Sequence, residues 1–501
     1  HPKWSPEVNR NAITLLLRYN YIPEFYSIYS DIRKLRPGSF LEIDLNKPRE
    51  LPQSSLYWNP VEIVKENSNN NFYGTLDEAH DYLELLLLKA IKNQMIADVP
   101  LGAFLSGGID SSLIVAMMQE LSSKPIKTFT IGFSEKKYNE APYAKAVAKY
   151  LGTDHTELYL EPKDALDIVP QLSSIYDEPF SDSSQIPSVL VSRLARKQVT
   201  VCLSGDGGDE LFTGYSRYFI AKRMWNVARF VPRSTKRPLS MLLQTIAACG
   251  SLCPRSSKGS LLRSRILKLA DIVSQQTINS PSTFYLELMS HWMNPTSAVL
   301  YSNEPETYLL KLLENQNLNS YFERMMFADT LTYLPGDILT KIDRAAMSAS
   351  LETRLPLLDH HVVEFAFRLP LSMKTHGGIG KLPLRNLLYK RVPKQLFERP
   401  KSGFSVPIRN WLRGPLKEWA WSLLSPSTLN SEGFFNEKEV LQKWEQHQNG
   451  SRDWSRLLWD ILMFQSWIAN QRGFVEQNEV HKRLATSREY SPATDVFRNT
   501  N

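Results

Sequence analysis

The stretch Val99-Pro-Leu-Gly-Ala-Phe-Leu-Ser-Gly-Gly-Ile-Asp-Ser-Ser-Leu113 decides the fold. Its apolar residues Val99, Leu101, Phe104 and Leu105 suit a buried parallel strand that stops at Ser106-Gly107-Gly108. Leu113, Ile114, Met117, Met118 and Leu121 then recur at helical spacing. The segment therefore reads strand, tight glycine turn, helix. Two glycines at such a junction let backbone N–H groups converge, and the helix start behind them adds partial positive charge. Ser106, Ser111 and Ser112 add hydroxyl donors, so the turn suits an anion, with phosphate the expected one. A plain strand-to-helix turn with Asp110 as N-cap would leave the same trace. It is not a Walker A loop, because the G-x-x-x-x-G-K-S/T pattern is absent and no lysine lies in the turn.

Downstream, Phe129, Ile131 and Phe133 alternate within Thr128-Phe-Thr-Ile-Gly-Phe133, as in a strand. A helix over 141–151, a short strand Thr156 to Leu160, a helix over about 186–197 and the strand Val199-Thr-Val-Cys-Leu203 follow. This alternation predicts an α/β fold with a doubly wound parallel sheet, binding ligands at the carboxyl ends of its strands. Upstream, Thr75 and Glu78 have capping-box spacing at the head of a helix running through Leu83, Leu86, Leu87 and Ile91. The asparagine-rich stretch 67–71 reads as a linker. Before it, Tyr19-Asn-Tyr-Ile-Pro-Glu-Phe-Tyr26 reads as extended, and Leu41, Ile43 and Leu45 alternate with Glu42 and Asp44 as in a half-buried strand. A helical insertion is expected at about 220–320, a helical C-terminal part after it, and a polar tail over 476–501.

A chain of 501 residues with 42% hydrophobic and 22% charged residues is ordinary globular protein, long enough for about two to four domains. No apolar run approaches the roughly 18 residues of a membrane span, and no signal-peptide pattern opens the chain. Cys202, Cys249 and Cys253 have no metal-ligand spacing and favour a reducing cytoplasm. The net charge of +7 is uneven: residues 217–268 hold twelve Lys/Arg and no Asp or Glu. Such a block marks either an anionic partner, nucleic acid or membrane, or simply a solvated surface.

A second glycine turn, Leu203-Ser-Gly-Asp-Gly-Gly-Asp-Glu-Leu-Phe-Thr-Gly-Tyr215, crowds Asp206, Asp209 and Glu210 after a strand. Carboxylates placed together need a cation, whether Mg²⁺, a substrate ammonium or protein Arg/Lys, unless they merely head a helix. In Leu334-Pro-Gly-Asp-Ile-Leu-Thr-Lys-Ile-Asp-Arg344 and on to Asp359, Asp337 and Lys341 have the spacing of a surface pair. Asp343, Arg344, Glu352, Arg354 and Asp359 sit among small and apolar residues, as partly buried ion pairs would, in a structural network or in an active-site wall. Gly377-Gly-Ile-Gly-Lys381, which runs into Gly380-Lys-Leu-Pro-Leu-Arg385, superficially suggests a nucleotide loop but has the wrong spacing; Lys401, in Arg399-Pro-Lys-Ser-Gly-Phe404, is the better candidate for the missing phosphate cation.

The Ser-Gly-Gly-x-Asp-Ser turn resembles the pyrophosphate loop of the ATP-pyrophosphatase superfamily. The ordered set of both glycine turns, Phe129 to Phe133, Asp177-Glu-Pro-Phe-Ser-Asp-Ser-Ser184 and the 334–359 block resembles the synthetase domain of glutamine-dependent asparagine synthetases, over about 75–475. That resemblance implies an adenine nucleotide α-hydrolase-like sheet, with residues 1–60 as the remnant of an N-terminal glutaminase domain. It implies ATP and Mg²⁺, with adenine near Leu105 and Ile131 and phosphates on Ser106, Gly107, Gly108, Asp110 and Ser111. Ser204, Gly205 and Lys381 are expected to join the nucleotide site, and Asp110 and Glu210 the metal. Asp206, Asp209 and Lys401 would be catalytic, the aspartates holding a substrate ammonium and Lys401 neutralising pyrophosphate. Aspartate and ammonia or glutamine are the implied substrates, and a homodimer is an expected assembly. The same adenylation chemistry also fits the amidation or cyclisation of another carboxylate, as in β-lactam synthetases, lasso-peptide cyclases or enzymes acting on cell-surface sugars. Two departures stand out. Many members carry Glu where this chain has Asp206, and the family's glutaminase nucleophile is an N-terminal cysteine, whereas no cysteine precedes Cys202. Cys202 lies in a predicted strand and reads as a core thiol. Residues 1–50 lack enough core to stand alone, and the chain opens on His1 rather than Met, so a truncated glutaminase half is expected, with direct use of free ammonia as the alternative.

Overall fold

The computed structural model describes residues 6–47, 52–67, 71–133, 139–229, 233–248, 266–267, 270–271, 280–315, 318, 320–398 and 406–489. Lys401 with its 399–405 neighbours, Cys249, Cys253, much of the basic block, the middle of the asparagine-rich linker and residues 490–501 lie outside them.

Two short strands, β1 (Ser39–Leu41) and β2 (Ser54–Leu56), form an antiparallel hairpin. The central sheet has five strands: β3 (Leu101–Phe104), β4 (Lys127–Phe133), β5 (Asp154–Leu160), β6 (Val201–Leu203) and β7 (Glu352–Arg354). Their order is β5-β4-β3-β6-β7, and every pair is parallel. The alternating residues divide between two cores: Phe129, Ile131, Phe133 and Cys202 face one, and Ala103, Leu105, Val201 and Leu203 face the other. Both faces of the sheet are thus covered, as a doubly wound sheet requires. The chain leaves β3 toward β4 and β5 on one side, then returns to lay β6 and β7 on the other. The carboxyl ends of β3 and β6 therefore flank the point where the winding reverses, where open α/β sheets place their ligands.

The expected helices appear with bounds close to their sequence periods, at Ile109–Leu121, Ala141–Leu151 and Gln185–Arg196. The helix Leu76–Gln94 starts in the expected capping box of Thr75 and Glu78. Helices Ser216–Ala228, Arg233–Ala248 and Pro281–Met289 give the stretch from about 220 its expected helical character. The C-terminal helix runs from Ser455 to Glu489, into the segment read as a tail. Among the described residues no helix is long and apolar enough to cross a membrane.

Several expectations need correction. Ile43 and Leu45 do not lie in a half-buried strand: β1 ends at Leu41, and Leu45 is 86% exposed. Alternation gives a strand two faces but cannot supply a core to cover one of them. Residues 10–18, which carried no helix or strand reading from sequence, are helical. Asn9 caps a helix Arg10–Tyr19, accepting from the N–H groups of Asn11 and Ala12. That helix buries Ala12, Ile13, Leu15, Leu16 and Leu17 in the same core as Phe129 and Trp459. The ion pairs at 334–359 are inverted. Arg344 pairs with Asp177 and Asp343 at the surface, and Glu352 is exposed beside Arg354, while Asp337 and Lys341 are the members turned inward. A π-helical turn over Leu334–Leu339 breaks the regular spacing and aims Asp337 at the interior. Arg217, the first cation of the basic block, is no solvated charge. It donates to Asp329, which also accepts from Tyr218 and Tyr285, and its guanidinium lies over the rings of Tyr215 and Tyr333.

Candidate active site

At the end of β3, Leu105 N–H donates to Phe129 O at 2.9 Å, carrying the turn out of the sheet in register. Gly107 takes a φ of +71°, and a Cβ there would lie 2.7 Å from the backbone nitrogen of Ala144. Ser111 Oγ meets the Ser106 hydroxyl at 3.0 Å and accepts from Ser106 N–H at 3.2 Å. The helix cap is Gly108, with no side-chain cap bond. Asp110 is thus not the N-cap, and its carboxylate pairs instead with the Lys381 ammonium.

The second turn follows β6. Ser204 N–H donates to Arg354 O of β7 at 2.8 Å, and its hydroxyl donates to Asp206 Oδ2 at 2.6 Å. Gly207 has a φ of +98° and is covered by the Leu358 side chain. The two turns are in direct contact. A Cβ on Gly205 would lie 2.7 Å from Ser111 N, and one on Gly208 would lie 2.7 Å from Asp110 Oδ1. Glycine is needed at 205 and 208 for close approach rather than for backbone conformation.

Lys381 ties the turns together. Its backbone takes a left-handed φ of 60°, its N–H donates to Phe212 O at 2.7 Å, and its ammonium pairs with Asp110 and, at 2.6 Å, with Asp209. Burial works against that charge, yet the two carboxylates outweigh it and hold the ammonium above its ordinary range. Burial also raises the Asp206 carboxyl, against the pull of the Ser204 bond and Lys341. Glu210 is pushed up to about 7 by burial and by neighbouring Asp209, while the Tyr215 hydroxyl donates to it at 2.6 Å.

The turns open into one cavity of about 770 Å³, within the roughly 300–1,000 Å³ usual for small-molecule sites. Leu105, Ser106, Gly107, Gly108, Asp110, Ser111, Ile131, Ser204, Gly205, Asp206, Asp209, Glu210 and Lys381 all line it. Phe104 and Phe129 join Leu105 and Ile131 at an apolar flank suited to a flat heterocycle, beside the hydroxyl-rich turn. The opposite wall was not assigned from sequence: Asn20, Ser181, Asp182, Asp337, Lys341 and His291. Lys341 donates to Asp182 at 2.7 Å, and Ser181 and His291 both bond the buried carboxylate of Asp460. The Asp177–Ser184 and 334–359 blocks offered a signal for this wall, without roles for Asp182, Asp337 or Lys341. Cys202 is fully buried, as a core thiol should be.

The sequence family described as asparagine synthase matches residues 82–469. The chain is similar to asparagine synthetase (glutamine-hydrolyzing) 1 of Bacillus subtilis (strain 168), 30% identical over 462 residues, covering 92% of this chain and 69% of that protein. It is 32% identical over 482 residues to a putative asparagine synthetase (glutamine-hydrolyzing) of Mycobacterium tuberculosis (strain ATCC 25618 / H37Rv), covering 95% of this chain and 69% of the relative. A putative asparagine synthetase (glutamine-hydrolyzing) 2 of Methanocaldococcus jannaschii is 34% identical over 351 residues, 68% of this chain and 61% of its own length. With two glycine turns meeting at one cavity and a family match that spans the whole sheet, the chain belongs to the asparagine synthase family.

Proposed function

We propose that the protein forms an amide from a carboxylic acid and ammonia through an acyl-adenylate, with aspartate as the acid and asparagine as the product. The observation that carries this reading is the contact of a hydroxyl-rich turn with an acid-rich turn across Gly205 and Gly208. The first turn holds the triphosphate through Ser106, Gly107, Gly108 and Ser111, with adenine against Leu105 and Ile131. The second holds the acid: Asp206 and Asp209 take its α-ammonium, leaving its side-chain carboxylate facing the α-phosphorus. Carboxylate oxygen attacks that phosphorus and pyrophosphate departs. Ammonia then attacks the acyl carbon, and AMP leaves with the bridging oxygen. Asp206, whose carboxyl is raised by burial, accepts the proton released as the amide forms.

Asp110 fits a magnesium ligand, being a hard oxygen donor on the phosphate turn. Glu210 fits poorly, because burial and Asp209 raise it to about 7 and Tyr215 occupies one of its oxygens. Bound Mg²⁺ would supply charge neutralisation to the triphosphate. Lys381 stands at the same place as a protein cation, and Lys401 is assigned to the departing pyrophosphate on the family resemblance.

The test is to incubate the protein with ATP, Mg²⁺, ammonium and aspartate, and to follow pyrophosphate, AMP and asparagine. Aspartate-dependent AMP with asparagine is expected. AMP that appears only with a different acid would replace the substrate but keep the chemistry, and no turnover with any acid would reject both. Asp110→Ala and Lys401→Ala should each abolish pyrophosphate release while the fold survives.

A further inference from the structure

The N-terminal helix ends inside the cavity. Its C-cap, Asn20, takes a left-handed φ of 67°, which returns its N–H to Leu16 O. The Asn20 carbonyl accepts from both the N–H and the hydroxyl of Ser181, at 2.9 and 3.1 Å. Its side-chain amide donates to Asp337 Oδ2 at 3.1 Å. Next in the chain, the Tyr21 ring packs over Gly336, so the same segment grips the π-helical turn at two adjacent points. Asp337 is 2% exposed and lines the cavity, and its other oxygen, Oδ1, has no hydrogen-bond partner among the described residues. Beside it Lys341 donates to Asp182, whose carboxylate is fixed by the N–H and hydroxyl of Ser184.

We propose that Asn20 is a positioning residue of the synthetase cavity: its amide orients Asp337, so that Asp182 and Asp337 together hold the Lys341 ammonium within electrostatic reach of Asp206. The inference rests on the function proposed above, in which Asp206 binds the acceptor acid. It makes the N-terminal segment a working part of the amide-forming site. The charged and titratable groups that face Asp337 are Asp182, Lys341, Tyr21, Tyr176 and Tyr333. Burial, then Asp182, raise the Asp337 carboxyl, while Lys341 and the Asn20 amide pull it back. Removing the amide therefore favours neutral Asp337 and strips Lys341 of part of its anchoring charge.

Position 20 permits a clean test because its left-handed backbone accepts glycine and aspartate as well as asparagine. Asn20→Gly keeps the helix cap and removes only the donor. It should melt within a few degrees of the parent at pH 7, yet raise KM for the acceptor acid at least fivefold with a smaller change in kcat. It should also move the acidic limb of the pyrophosphate-release profile toward higher pH. Asn20→Asp sets a third carboxyl against the pair. A carboxyl held above its unfolded pKa keeps a proton that the unfolded chain gives up, so the native state loses stability as pH rises. The melting deficit of Asn20→Asp should therefore grow from pH 5 to pH 8, and more steeply than that of Asn20→Gly, in which only Asp337 is raised further. A wild-type KM and pH profile in Asn20→Gly, or a pH-independent deficit in Asn20→Asp, overturns the inference. If the parent protein releases no pyrophosphate with any acid, the proposed function fails, and the melting comparison alone decides whether residue 20 is coupled to Asp337.

Discussion

The two glycine turns are built alike and charged oppositely. Each follows a short parallel strand, each contains a glycine with positive φ, and each starts a helix. The β3 turn is rich in hydroxyls that satisfy one another, so its donors are ordered before any ligand arrives. The β6 turn is rich in carboxyls, two of which burial has pushed up. The difference shows that sheet topology fixes where ligands go, while a few side chains choose their sign. A donor-rich turn suits phosphate and an acid-rich turn suits an ammonium. Gly205 and Gly208 bring them close enough to react, and Lys381 keeps their aspartates from repelling each other.

The largest effect should come from removing that bridge. Lys381→Met leaves the partly buried Asp110 and Asp209 without their shared cation, and we expect a stability loss of about 3 kcal/mol, read by denaturant unfolding. Pyrophosphate release should fall at least tenfold under conditions where the variant remains folded.

Driving the turns apart comes next. Gly205→Ala puts a methyl group against the Ser111 backbone, which cannot swing away as a side chain could. A cost of about 1–3 kcal/mol is expected for this overpacking. Pyrophosphate release should drop by more than the melting shift alone explains; a variant with normal turnover would mean that contact between the turns is dispensable.

Glu210 gives a smaller effect with a definite sign. Its folded pKa of about 7 lies above the ordinary carboxylate value, so the native state binds a proton that the unfolded chain releases, and stability declines as pH rises toward 7. Glu210→Gln removes that penalty while its amide oxygen can still accept from Tyr215. The variant should gain on the order of 1–3 kcal/mol relative to the parent at pH 8, and the two should converge near pH 4. Parallel pH–stability curves would contradict the assignment. The smallest change is Ser204→Ala, which removes one hydrogen bond to Asp206. It should cost about 1 kcal/mol and shift the acidic limb of the activity profile upward, since that bond favours the ionised carboxyl.

Both turns and the strand–helix alternation could be read from sequence because each is a local pattern. Phe129, Ile131 and Phe133 alternate, Leu113 to Leu121 repeat at helical spacing, and glycines punctuate the junctions. The opposite wall could not be read this way, because it is assembled from Asn20, Asp182 and Lys341, three segments far apart in the chain. Asp337 and Lys341 mimic a surface pair at i, i+4, and only a π-helical turn, set by packing against Tyr21, turns them inward. The helix Arg10–Tyr19 carries a period, with Asn11, Thr14 and Arg18 on one face, but it went unread; its polar face is itself covered, since every residue from Ala12 to Tyr19 is buried. Strand β7 is three residues long, and its polar Glu-Thr-Arg sequence becomes a strand only because β6 supplies an edge to pair with.

The central claim is that a carboxylate oxygen attacks the α-phosphorus within this cavity. Turnover of aspartate carrying ¹⁸O in its side-chain carboxylate, with ATP and ammonium, tests it directly by mass spectrometry of the products. The account predicts one ¹⁸O in the AMP formed per asparagine released. Unlabelled AMP, or label recovered in inorganic phosphate beside ADP, would contradict it.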